Sequence, residues 1–498
     1  MAIYERHRPE STVLYQSVAR AWPKVEVEYA INEQTIAPHV AAEFERYKRC
    51  GILEHGFVRL YCKDCQAERV IGFSCKGRGF CPACGSRRAL QKADRIEREV
   101  WPRVKARQWV LTFPHQVRAW LLRSAELFNE VISVVIDSIS FFYEQHSALV
   151  LGKDQIYLPT AGSVSFVQFF GSSLAPNPHL HMMFLDGVFA SGKDGVKFFE
   201  HRGLSQESMF DVIEMIYLRL AKLFAKKGYV DASGEVSLPE DFDSEDDLSV
   251  PMPFRPRAPK AYRRKGRLLS NPLFQHPDPD MMSVQGWLNV RYKWFSLHAA
   301  VSIEGANREG LRQLFHYGAR SSVNLSLLSY MEPDDPDRSE LELRLKRKWN
   351  DGTESLIFSQ RDFVERLAGI IPPAWFNLTR FHGVFAPNHA WREFVVPGPT
   401  KKRTCPAHDE PNDSDPPPTG KPSTGRAPAE FWIPWAELLR RTVGVDPEIC
   451  ICGARMIVDE AITDGEKISE VLTRLGVVST GPPKRRQSTG ELDYVYDV

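Results

Sequence analysis

Pro178-His179-Leu180-His181-Met182-Met183-Phe184-Leu185-Asp186 is apolar enough to be the central strand of a sheet. Successive strand side chains point to opposite faces, so His179 and His181 share one face. Two imidazoles side by side are half of a metal site, although such a pair taken alone is more often a satisfied core feature. The neighbouring sequence supplies context. Ser163-Val-Ser-Phe-Val-Gln-Phe-Phe170 is a second β-rich run, and Gly171-Ser-Ser-Leu-Ala-Pro-Asn-Pro178 carries turn residues, so a hairpin is expected to deliver both strands to one sheet. Arg107-Gln-Trp-Val-Leu-Thr-Phe113 is another β-rich run. Phe295-Ser-Leu-His-Ala-Ala-Val-Ser-Ile303 alternates, with Phe295, Leu297, Ala299, Val301 and Ile303 on one face and His298 on the other. Gln168 is the polar member of the set Val164, Phe166, Gln168, Phe170. Gln168 and His298 therefore compete as third ligand or substrate contact. A histidine pair with one more oxygen or nitrogen ligand and open positions suits Mg2+ or Mn2+ bound jointly by protein and phosphate.

Helical patterns such as Val117 to Phe142 separate these runs, which makes the fold class α+β. After the Phe295 strand, Asn307 is placed to cap a helix running to Arg320. At 100° per residue, Leu311, Leu314 and Phe315 form its core stripe, while Gln313, His316, Tyr317 and Arg320 gather on the other side. Tyr317 is thereby offered to solvent or substrate. A phenol with pKa about 10 is ionised to about a tenth of a percent at neutral pH, so as a nucleophile it needs a nearby cation such as Arg320 and a metal on the phosphate. An exposed helical tyrosine alone is more often a rim residue.

Six of the nine cysteines fall between Cys50 and Cys84. Cys62-Lys-Asp-Cys65 and Cys81-Pro-Ala-Cys84 are two C-x2-C knuckles fifteen residues apart, a spacing at which four thiolates can close one structural zinc shell. Gly85 suits the backbone such knuckles adopt. Cys50, Cys75 and His55 are near enough to form part of a second site or replace a ligand, although lone cysteines are more often small buried residues. Cys450-Ile-Cys452-Gly453 has one residue too few between its sulfurs for a standard knuckle, and no metal is assigned there.

The 498 residues imply two or three domains, and 43% hydrophobic with 26% charged residues lies near globular averages. No apolar run reaches a membrane span, and the charged N-terminus has no apolar stretch behind it, so a cytoplasmic protein is expected. The net charge of +1 hides opposed blocks: Arg255, Arg257, Lys260, Arg263, Arg264, Lys265 and Arg267 follow an acidic run from Glu240 to Asp247. They read equally as a solvated insertion or a basic DNA-contacting loop. The expected organisation is an N-terminal zinc-binding domain (1–95), a catalytic domain (96–398) with a charged insertion at about 231–279, a Pro-rich linker (399–430) and a small C-terminal segment (431–498).

The ordered motifs Phe73-Ser-Cys-Lys-Gly-Arg-Gly-Phe-Cys-Pro-Ala-Cys84, Arg107-Gln-Trp-Val-Leu-Thr-Phe-Pro114, Phe166-Val-Gln-Phe-Phe-Gly171, His179-Leu-His181, Phe295-Ser-Leu-His-Ala299, Tyr317-Gly-Ala-Arg320 and Arg380-Phe-His-Gly-Val-Phe-Ala-Pro387 resemble the HUH rolling-circle transposases related to the insertion sequence numbered ninety-one. The resemblance implies an HUH-endonuclease antiparallel sheet flanked by helices, zinc on Cys62, Cys65, Cys81 and Cys84, a catalytic divalent metal on His179 and His181, and Tyr317 as nucleophile, with single-stranded DNA as substrate. It also implies a nucleoid-associated protein, with a homo-oligomer compatible with the chemistry. Some relatives carry two tyrosines four positions apart. Here Ser321 stands at the second position, so the chain resembles the single-tyrosine branch. A replication initiator would use the same chemistry, and a zinc-ribbon DNA-binding regulator would use none of it. No G-x4-G-K-[ST] motif is present, in keeping with rejoining that needs no nucleotide triphosphate.

Overall fold

Each strand expected around His179 finds an antiparallel neighbour. The computed structural model describes residues 8–151, 159–192, 195–230, 283–349, 351–398, 433–443 and 446–477. The charged insertion and the Pro-rich linker lie outside them. The main sheet runs in the order Thr379–Gly383, Gly162–Phe170, Pro176–Leu185, Ala106–Thr112, Phe295–His298, Asn289–Tyr292, Ser283–Gly286, and Ser302–Ile303 also pairs with Ala106–Thr112. The fold is α+β, with antiparallel pairing throughout this sheet.

One face of the sheet is apolar. Trp109, Leu111, Phe113, Val167, Phe169, Leu180, Met182 and Phe184 pack with the helices Ala125–Leu151 and Gln206–Lys226 in the largest core cluster. Burying each large side chain stabilises by roughly 1.5–3 kcal/mol. The other face receives the helix Arg308–Gly318, whose Leu311, Leu314 and Phe315 pack on Val164, Phe166, Met183 and Leu185. Buried polar groups sit at the strand ends of the apolar face: Arg107 Nε and Nη2 donate to the two Asp186 carboxylate oxygens at 2.9 and 2.8 Å, and the Tyr143 hydroxyl donates to Oδ1 at 3.1 Å. Such a bidentate pair satisfies both charges inside the protein.

Two expected elements are interrupted. The helix Val117 to Phe142 is instead His115–Arg123 and Ala125–Leu151, because the Ser124 hydroxyl accepts from Leu127 N at 3.0 Å and restarts the helix as a cap. The run Phe295 to Ile303 leaves the ladder after His298, where the Ala299 carbonyl accepts from Arg107 Nη1 at 2.9 Å. Around the N-terminal cysteines, Phe57–Tyr61 pairs with Glu68–Gly72 and, on its other side, with Ile457–Ile462 from the far end of the chain. Among the described residues no helix is long and apolar enough to cross a membrane.

Candidate functional site

The strand Pro176–Leu185 is flanked on both sides, and its register fixes the site. His179 stands opposite Gln168 on one neighbour and Thr112 on the other, while His181 stands opposite Phe166 and Val110. Directly paired residues share a face, so Gln168 joins the two histidines one strand away. The register shifts just beyond Gln168, and bulges of this kind re-aim side chains beside functional sites. His298 pairs with Val110 and lies on the same face, but two strands from His181. The strand Ala106–Thr112 lies between it and the pair.

His179 Nε2 and His181 Nε2 lie 3.1 Å apart. His179 Nδ1 donates to the Asn177 carbonyl at 2.8 Å, which leaves its Nε2 lone pair facing His181. Gln108 Nε2 donates to His181 Nδ1 at 3.1 Å and so fixes the orientation of that ring. Burial, opposed by the hydrogen bond to the Asn177 carbonyl and aided by Arg320 and Arg118, pushes the His179 pKa down to about 4, and burial holds His181 well below its ordinary value, with His179 and Arg320 adding to the effect. Both rings are thus neutral at pH 7, the form that binds metal. Gln168 is buried: its Nε2 donates to the Gly318 carbonyl at 2.8 Å and to the Tyr317 carbonyl at 3.3 Å, while its Oε1 has no hydrogen-bond partner among the described residues. A buried orphan oxygen beside two neutral imidazoles fits a hard divalent cation.

The helix Arg308–Gly318 begins as its sequence indicates, with the Asn307 side chain accepting from Gly310 N at 2.9 Å. Arg308 holds its start, Nε meeting Glu97 Oε1 at 2.5 Å, and Trp101 packs on Phe315 with ring centres 5.3 Å apart. Its end meets the sheet at Gly318, where a Cβ would stand 2.7 Å from the Phe166 ring. That close approach sets Tyr317 edge-on against His181, ring centres 5.4 Å apart and planes at 89°. Tyr317 remains 45% exposed. The Arg320 guanidinium lies 4.6 Å from the Tyr317 ring centre and 5.8 Å from that of Phe170, and its Nε has no hydrogen-bond partner among the described residues. Tyr317 and Arg320 line a cleft of about 780 Å³ whose far wall carries Lys346, Arg347, Lys348 and Trp349. Sequence reasoning missed that wall and Gln108. The basic triplet was the available signal for the wall; nothing in the sequence marks Gln108, which acts through spatial register.

The cysteines depart from the expected single shell. Cys81 and Cys84 gather with Cys50 and Cys75, whereas Cys62 and Cys65 gather with Cys450 and Cys452. Cys62 and Cys65 stand in the connection between Phe57–Tyr61 and Glu68–Gly72, whereas Cys81 and Cys84 stand at the start of the helix Pro82–Arg95, so each pair finds different partners. No disulfide joins the described cysteines. In the first cluster the sulfur separations Cys50–Cys81, Cys50–Cys84 and Cys75–Cys84 are 3.7, 3.7 and 3.4 Å. A tetrahedron with Zn–S bonds of about 2.3 Å has edges of about 3.8 Å. Gly85 also has a different use from the one expected. It lies inside the helix Pro82–Arg95, and a Cβ there would meet Ser321 Cβ at 2.7 Å, so its smallness lets the cysteine module close against the segment following Tyr317.

Searches of curated proteins and of solved structures return no match. Two family models do match: one described as a transposase zinc-binding domain covers residues 19–113, and one entitled "Putative transposase" covers residues 162–392. The cysteine clusters support structural zinc in the first region, and the second spans the histidine strand and Tyr317. The chain belongs to the transposase family of the insertion sequence numbered ninety-one.

Proposed function

We propose that this transposase cleaves and rejoins single-stranded DNA through Tyr317, by the rolling-circle chemistry of HUH enzymes on an HUH-type sheet. The edge-on packing of the half-exposed Tyr317 ring against buried His181, at the mouth of a basic cleft, carries the reading. The phenolic oxygen attacks a backbone phosphorus, the bond from phosphorus to the 3′ oxygen breaks, and the proton lost by the phenol is balanced by one gained at the departing 3′ hydroxyl. A 5′-phosphotyrosine keeps the bond energy for rejoining. His179, His181 and the Gln168 oxygen would hold a Mg2+ or Mn2+ ion, which when bound would supply positive charge to the phosphate under attack. His298 is the less suited third ligand, standing two strands from His181. Arg320, with its Nε unpartnered beside the Tyr317 ring, contacts the phosphate, and Lys346 and Arg347 guide the strand along the cleft. Phe170 and Trp349 offer faces on which bases stack.

Incubation with single-stranded oligonucleotides from the element's ends and Mn2+ tests this. A covalent protein–DNA band on denaturing gels, lost in Tyr317→Phe with DNA binding retained, is expected. Binding without any adduct would show a non-catalytic DNA-binding protein. A replication initiator would form the same adduct; the family assignment favours transposition, and an intact element without terminal inverted repeats around the gene supports it further.

A further inference from the structure

We infer that Cys62, Cys65, Cys450 and Cys452 hold a second structural zinc ion, one that fastens the last described segment of the chain to the N-terminal cysteine module. The inference is independent of the tyrosine chemistry. The Cys62 and Cys452 sulfurs lie 3.6 Å apart and those of Cys65 and Cys450 3.4 Å, and all four lie within 4.8 Å of one another. These separations are far beyond a disulfide bond of about 2.05 Å and close to the edge of a ZnS4 tetrahedron, about 3.8 Å.

The backbone is shaped for the purpose on both sides. Cys62 N donates to the Ala67 carbonyl and Gln66 N to the Cys62 carbonyl, each at 2.9 Å, with Gln66 in the left-handed region at φ 62°, which curls the strand connection around its sulfurs. On the C-terminal side Cys450 N donates to the Ala454 carbonyl at 2.9 Å and Gly453 N to the Cys450 carbonyl at 3.0 Å. Gly453 has φ 88°, a conformation that lets the short Cys450-Ile-Cys452 loop turn both sulfurs the same way despite its single spacer. Arg69 Nη1 donates to the Ile449 carbonyl at 3.1 Å and so locks the two loops together.

What surrounds the shell is too small to fold by burial alone. The strand Ile457–Ile462 adds to Phe57–Tyr61, and the helix Gly465–Arg474 covers it with Ile468, Val471 and Leu472 on Leu53, Phe57, Val70 and Ile462. A core of that size needs a staple, and four thiolates so close together need a cation to share. The ligands come from positions nearly four hundred residues apart, so the ion closes the chain into a loop that includes the whole catalytic sheet.

Elemental analysis and native mass spectrometry of the full chain should read two zinc ions per chain, and Cys450→Ser/Cys452→Ser should read one. One zinc in the unaltered chain, two in the double variant, or iron in place of the second zinc overturns the assignment. A second measurement needs no substitution. Cys65 and Cys452 are solvent-exposed, so without an ion they alkylate rapidly. Peptide mapping after iodoacetamide treatment should show both protected until a strong chelator is added; rapid alkylation in its absence also overturns the proposal.

Discussion

The two faces of the main sheet use the same strands for opposite ends. On one, Trp109, Leu180, Met182 and Phe184 are fully buried under two long helices. On the other, the short helix Arg308–Gly318 packs on the strands and leaves a polar triangle of His179, His181 and Gln168 beside a tyrosine that is 45% exposed. Packing maximises stability on the first face and is sacrificed on the second, where neutral imidazoles and an orphan amide oxygen are kept in a buried setting. Substitutions should therefore separate cleanly: changes on the helix-covered face should act through folding, and those on the tyrosine side through chemistry.

The largest effect belongs to the phenol. Tyr317→Phe removes one exposed oxygen and should leave the melting temperature within a degree or two, while adduct formation falls by roughly 10⁴-fold or more, as for other nucleophiles that act with their partners as a unit. An adduct of normal yield would move the nucleophile elsewhere. Trp109→Ala tests the opposite face. Trp109 packs edge-on against Phe142 and Tyr143, and its Nε1 donates to the Tyr143 hydroxyl at 3.2 Å. The cavity and the lost donor to the Tyr143 hydroxyl, which keeps its bond to Asp186, should cost about 3–5 kcal/mol in chemical denaturation. A loss under 1 kcal/mol would contradict the assignment of stability to this face.

Gly318→Ala tests the seam where the faces are coupled through the strands. Its Cβ would stand 2.7 Å from the Phe166 ring and 3.1 Å from Met183 Cε, so the helix end must rise or the ring must move. A cost of about 1–3 kcal/mol is expected. Because Tyr317 is the preceding residue, adduct formation should fall further than that destabilisation explains. Equal losses in both measurements would mean that the helix position does not set the tyrosine.

The sequence disclosed whatever rests on a local period. Alternation gave the hairpin of Gly162–Phe170 with Pro176–Leu185 and the common face of His179 and His181, and the helical period turned Leu311, Leu314 and Phe315 inward and Tyr317 outward. Asn307 announced its helix by capping chemistry. Contacts between distant segments were illegible. The proposal of Gln168 over His298 rests on strand order, which no periodicity encodes. Cys62 and Cys65 were grouped with Cys81 and Cys84 because those are nearest in sequence, yet their neighbours in space arrive with Ile457–Ile462, a strand that pairs back onto Phe57–Tyr61. Ser124, an ordinary serine within an apolar pattern, broke a helix through one hydrogen bond.

The smallest effect concerns a polar pair on the helix-covered face. His382, on the edge strand Thr379–Gly383, meets the Ser165 hydroxyl through Nε2 at 2.7 Å, and burial, with Arg380 adding to it, lowers its pKa to about 4. The unfolded chain titrates near 6.5, so between these values the unfolded state binds a proton that the native state refuses. Stability is then complete above pH 6.5, falls as the pH drops, and stops falling on this account near pH 4, where the native imidazole also protonates. At about 1.4 kcal/mol per pH unit the loss reaches about 2 kcal/mol by pH 5. Urea unfolding at pH 7 and pH 5 should show that difference in the unaltered protein beyond whatever His382→Gln shows, because glutamine keeps a hydrogen bond to Ser165 without a titrating group. Parallel pH dependence in the two proteins would mean that His382 gains a proton in place without cost, and that the helix-covered face tolerates a charge the comparison says it should not.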